Sequence, residues 1–139
     1  MTSTETPTIT QVSELLAQHG YYVAATADAL QVRDVETGIT FRAVLQGNIL
    51  YMTVTLTTLP SAAVTPEMMH KMLDAGNGIS TSAFQLYDAG QGHSAITLNN
   101  FCTLQDMGPE DHDDILSLAS YLMADLVAAR DLLEPPAAS

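Results

Sequence analysis

Residues 49–59 read Ile-Leu-Tyr-Met-Thr-Val-Thr-Leu-Thr-Thr-Leu, and that alternation limits what the chain can become. Successive side chains of a strand leave on opposite faces. Leu50, Met52, Val54 and Leu56 therefore point one way, and Tyr51, Thr53, Thr55 and Thr57 the other. One greasy face and one polar face is the pattern of an antiparallel sheet covered on a single side. A parallel sheet, buried on both faces, would read as an unbroken apolar run.

The greasy side needs a roof, and residues 109–134 supply it. Ile115, Leu118, Ala119, Leu122, Met123, Leu126 and Leu133 recur at three- and four-residue steps, the period of one helical face. Pro135 and Pro136 close that helix. A first helix is predicted over 10–19, with Ile9, Val12, Leu15 and Leu16 on its apolar side and Gly20 as a left-handed stop. Strand segments follow at 21–27 and 29–35, divided near Asp28, and at 39–46, ahead of the Gly47-Asn48 hairpin signal. Thr65-Pro66-Glu67 opens a second helix with a capping hydroxyl, a proline in the first turn and a carboxylate at the positive end. A last hairpin joins 83–88 to 94–104 across Gly90-Gln91-Gly92, with Phe84, Leu86, Ile96 and Leu98 inward. The predicted class is α+β: an antiparallel sheet of about five strands with three helices, in the order α-β-β-β-α-β-β-α, the helices mainly on one face.

At 139 residues the chain makes one domain, predicted over 9–134, with loose ends at 1–8 and 135–139. Apolar residues at 47% rule against a disordered composition, and with no Trp and three Phe the core falls to aliphatic residues and seven Met. Net charge is −12, from sixteen acids against four cations. Such a balance repels phosphate backbones and anionic membranes, which argues against nucleic acid and membrane partners. A single cysteine, Cys102, leaves no internal disulfide framework. The first residues lack a basic and then apolar signal, and no run reaches the roughly 18–20 apolar residues of a membrane span, so the expected setting is the cytoplasm.

Reactive residues are present but scattered. Asp106, Glu110, Asp111, Asp113 and Asp114, with His112, form the densest charge, yet their spacing does not fit a calcium loop, and carboxylates in a first helical turn serve the helix dipole. His19, His70, His93 and His112 fall on separate elements without zinc spacing. Cys102 has no neighbouring base in sequence and reads as a buried thiol. Gly76-Asn77-Gly78 and Gly90-Gln91-Gly92 lack the Lys-Ser/Thr of a phosphate loop, and Ser80 and Ser82 lie in no nucleophile elbow. The expectation is a protein without catalytic residues, cofactor or metal.

Two surfaces invite contact. Met68, Met69 and Met72 crowd the second helix, and Met adapts its shape to varied partners. With Tyr51, Thr53 and Thr55 of the polar sheet face they are the candidate protein-contact residues. Between Asp114 and Asp125 the last helix carries no charge, and Ser117, Ser120, Tyr121 and Ala124 on its back suggest a homodimer seam.

The second helix, then Ile79-Ser-Thr-Ser-Ala-Phe-Gln-Leu-Tyr-Asp88, then Ser94-Ala-Ile-Thr-Leu98 and a long helix with an acidic start, resembles the type III secretion chaperone-like fold group that includes the YbjN-like proteins. Within it the chain looks closest to a small bacterial family of the YjfI type. The pattern spans 9–134, and the motif-level likeness runs over 82–104. The resemblance implies an often dimeric α+β sandwich that binds proteins, with a link to membrane-stress neighbours and no catalytic residues to carry over. The reading is a non-catalytic, chaperone-like adaptor of a bacterial cytoplasm, whose acidity attracts a basic segment of a partner. The alternative is a regulatory domain binding a small molecule between the second helix and the sheet, or a metal ion at the acidic cluster.

Overall fold

Gln46 pairs with Ile49 across Gly47 and Asn48, and Gly47 takes φ 62°, a conformation glycine adopts without steric cost. The turn joins β3 (Thr40–Gln46) to β4 (Ile49–Pro60), the longest strand. The structure is a computed structural model that describes residues 7–26, 29–79 and 81–133. Before β3 come α1 (Ile9–Ala17), β1 (Tyr21–Ala25) and β2 (Leu30–Asp34). After β4 come a short 3-10 turn (Ser61–Ala63), α2 (Pro66–Leu73), β5 (Ala83–Gly90), β6 (His93–Thr103) and α3 (Pro109–Leu133). The strands form one sheet in the order β1-β2-β3-β4-β6-β5, with every pair antiparallel.

The sheet has six strands, not about five, because four strands precede α2 where the predicted order allows three. The segments read at 21–27 and 29–35 count as two strands. The Thr26 N–H donates to the Ala29 carbonyl at 2.8 Å, and the Ala29 N–H donates to Thr26 Oγ1 at 3.2 Å, so β1 and β2 are separate strands. The predicted ends also shift. Thr8 is the N-cap of α1: its hydroxyl accepts from the Gln11 N–H at 3.2 Å while the Gln11 side chain accepts from the Thr8 N–H at 2.9 Å. Of the loose ends expected at 1–8 and 135–139, residues 1–6 and 135–139 lie outside the described residues, as does Asp28.

All three helices pack on one face. α3 crosses β4 and β6, α1 lies over β1 and touches α3, and α2 meets α3. The core between the layers holds Leu30, Val32, Phe41, Leu50, Met52, Val54, Ile96 and Leu98 from the sheet, with Val12 and Leu16 of α1 and Ile115, Leu122 and Leu126 of α3. Burying each such side chain contributes about 1.5–3 kcal/mol. Leu86 has inward register opposite Ile96 but stays 41% exposed, since β5 is an edge strand.

Thr57 is the second correction. Thr55 pairs with Thr97, but the next pair is Thr57 with Ile96, so β4 carries a bulge at Leu56. A bulge sets two residues against one and shifts the alternation beyond it. Thr57 therefore shares the helix-side face with Ile96, which is fully buried, instead of pointing outward.

A candidate binding surface on the open sheet face

Opposite the helices, the sheet is uncovered. Tyr51 and Phe101 face each other across β4 and β6, with ring centroids 6.0 Å apart and planes tilted by 42°. Both are exposed, Phe101 by 64%, as is Tyr87 on β5. Such large exposed rings on one face mark a contact surface more than scattered apolar residues do. Beside them Thr53 Oγ1 donates to Asn99 Oδ1 at 2.6 Å, and Asn99 Nδ2 donates to Thr97 Oγ1 at 2.8 Å. This chain of side chains holds the middle of the face in one arrangement. A concavity of about 730 Å3 runs over Gln31, Thr40, Arg42, Thr53, Thr55 and Tyr87, and one of about 340 Å3 continues past Val44, Tyr51, Gln85 and Asn99.

The structure thus gathers Tyr51, Thr53 and Thr55, singled out from sequence, on one surface. It adds Phe101, Tyr87 and Arg42, which sequence reading passes over. Phe101 follows from pairing 94–104 against β4; the register that sets it beside Tyr51 is the missing signal. The methionines do not join this surface. Met68 lines a helix-side groove of about 510 Å3 with Leu56, Leu59, Ile96 and Arg130. Met69 lines another of about 560 Å3 with Val64 and Leu86. Met72 is buried, so it packs the core and presents no contact surface.

On α3, Ser120, Tyr121 and Ala124 are exposed and Ser117 is half-buried; Val127, 51% exposed, extends the strip. This strip faces away from the sheet, so it and the open sheet face lie on opposite sides of the molecule.

The acidic cluster divides by role. Asp111 is buried, and its Oδ2 accepts the N–H groups of Gln105, Asp106 and Met107 at 2.7, 3.0 and 2.8 Å. It thereby fixes the loop into α3, where Met107 holds φ 59°. Asp113 and Asp114 are exposed. Among the described residues no group of three or more His, Cys, Asp or Glu is placed to hold a metal ion. Cys102 is half-buried on the helix side of β6, opposite Leu50. Burial, with the nearby carboxylates of Asp114 and Asp111, pushes its thiol up to about 11. His19 Nδ1 lies 2.8 Å from the Leu15 carbonyl and His93 Nδ1 3.1 Å from that of Gln91, so both serve local turns. Asn77 caps α2 through a 2.9 Å bond from Nδ2 to the Met72 carbonyl, which explains the first Gly-rich stretch. In the second, Gly90, Gln91 and Gly92 all take positive φ in the hairpin turn. Thr81 donates to the buried Asp125 at 2.6 Å; Ser82 Oγ is buried without a partner, and Ser80 lies outside the described residues.

No family model and no curated protein matches the chain. Among solved structures it is similar to YbjN of E. coli, titled a proposed transcription regulator, with TM-score 0.67, 14% identity, and coverage of 93% of this chain and 96% of that one. The fold is therefore YbjN-like over nearly its whole length. No described helix is long and apolar enough to cross a membrane.

Proposed function

We propose that the protein is a non-catalytic, chaperone-like adaptor that binds another protein through the open face of its sheet. The observation that carries this reading is that face itself: six paired strands left bare on one side, with the Tyr51–Phe101 pair and Tyr87 exposed on it. The charge-free back of α3, through Ser117, Ser120, Tyr121 and Ala124, is the homodimer seam of the same proposal. The finer resemblance to the YjfI type, the membrane-stress link it implies and the cytoplasmic setting belong to it too.

Supporting the reading, four of the reactive side chains have structural roles: Asp111 holds its loop, the Cys102 thiol is pushed up by burial, and His19 and His93 sit at turns. The test combines photo-crosslinking and native mass. With a photo-reactive amino acid at Phe101, crosslinks to a protein in the native host are expected, and Phe101→Ser removes the same protein from a pull-down. The purified chain runs as a dimer at micromolar concentration. A monomer whose sheet face crosslinks to no protein would overturn the proposal.

A further inference from the structure

Sixteen residues of the chain are acidic and four are basic, yet the open face inverts that balance. Two of the four cations, Arg33 and Arg42, stand exposed at outward strand positions, and no Asp or Glu occupies an outward position of the described strands. The strand acids are turned the other way. Asp34 pairs with Tyr21, whose ring packs edge-on against Phe41 in the core, and Asp88 pairs with Ser94, in register with the helix-side residues. The patch is therefore cationic on a molecule whose net charge is −12.

We infer that the open face receives an acidic segment of a partner protein: an extended stretch that presents carboxylates and apolar side chains on one face, two residues apart. The inference rests on the protein-binding reading above and names the partner's chemistry. Arg42 pairs with Thr53, two residues along β4 from Tyr51, so the strand positions of Arg42 and of the Tyr51–Phe101 pair lie roughly 7 Å apart. That is about the spacing of alternate side chains in an extended peptide. A carboxylate takes the two parallel N–H groups of Arg42, and the apolar side chain two residues along covers the rings. Thr40 and Gln31 around Arg42 add neutral donors.

Other occupants fit less well. A basic segment finds no carboxylate on this face. A second copy laid face to face sets arginines against arginines. Aromatic rings beside arginine on an antiparallel sheet also suit stacked bases, but a nucleic acid carries a phosphate at every nucleotide and this face offers two arginines, so most of its charges would go unpaired.

Three fluorescein-labelled probes, read by anisotropy at about 0.15 M NaCl, test this. They are the peptide Gly-Asp-Ser-Phe-Ser-Asp-Gly, whose Asp and Phe side chains share one face, its counterpart with Lys for each Asp, and a short oligothymidylate. The Asp peptide is expected to bind saturably below 1 mM and at least tenfold tighter than the Lys peptide. Arg42→Glu weakens it at least tenfold and Arg42→Lys less, while Gln18→Ala, at the exposed end of α1 on the helix side, leaves it unchanged. Arg33→Glu is the second variant, and thermal melts confirm that each stays folded. Equal or tighter binding of the Lys peptide, lost in Phe101→Ser, would overturn the acidic partner and leave the protein-binding face standing. Preference for the oligothymidylate, or no binding by any probe, would overturn both.

Discussion

Asp111 is one of five carboxylates within nine residues, and its single oxygen gathers three backbone N–H groups at the entrance to α3. Hydrogen bonds to a charged acceptor contribute about 1.5–3 kcal/mol each, and buried donors left unpaired cost more than the bond was worth. Asp111→Ala should lower stability by about 3 kcal/mol in urea unfolding, Asp111→Asn by less because an amide oxygen still accepts, and the exposed Asp114→Ala by under about 0.5 kcal/mol. Cys102 yields a prediction of the opposite kind. Its thiol is raised to about 11, so at pH 8 far less thiolate is present than in an ordinary cysteine, and the higher intrinsic nucleophilicity of that thiolate offsets the deficit only in part. Iodoacetamide should alkylate the folded protein at least about tenfold more slowly than the urea-unfolded chain at pH 8. The folded state holds this proton more tightly than the unfolded one. The stability it contributes is complete below the unfolded thiol's pKa and is lost as pH rises through about 11.

At the level of elements, α3 separates packing from association. Leu122 is fully buried against the sheet, whereas Tyr121, one residue earlier, is 52% exposed. Leu122→Ala should cost about 2–5 kcal/mol in denaturant unfolding. Tyr121→Ala should cost under about 0.5 kcal/mol in the monomer yet shift a dimer toward monomer in sedimentation. The faces of α3 were readable from sequence because helical spacing is a local property, and so was β4 as far as Thr55. The bulge at Leu56 was not, since it is a mismatch with β6, a strand more than thirty residues away, and nothing within 49–59 reports it. The same holds for the candidate surface. Tyr51, Thr53 and Thr55 announce an outward face within one strand, but Phe101 and Arg42 join them only once the register of three strands is set. Met72 misled for a related reason: three methionines on one short helix look alike in sequence, and only the packing of α2 toward α3 decides which is buried.

For the whole molecule, charge is the quantity no single element owns. At −12 on 139 residues the folded chain concentrates like charges that the unfolded chain spreads apart, so compaction works against self-repulsion. The carboxylates of the first turns of α2 and α3 are partly offset by the helix dipole, but Glu36, Asp74 and Asp131 stand exposed without that help. Screening should relieve the repulsion. Raising NaCl from about 10 to 200 mM shortens the Debye length from roughly 30 to under 10 Å, below the spacing of most surface charges. The melting temperature should then rise by about 2–5 °C, equivalent to roughly 0.5–1 kcal/mol for a domain of this size. Arg42→Glu takes the net charge from −12 to −14, since it removes one positive charge and adds one negative. It should lower the melting temperature at low salt and converge on the parent protein at high salt, because Arg42 is exposed and its loss leaves no cavity. Differential scanning calorimetry in NaCl series of the two proteins reads both effects. Curves that stay parallel across the series would mean that Arg42 acts through a local contact and not through the field of the whole chain.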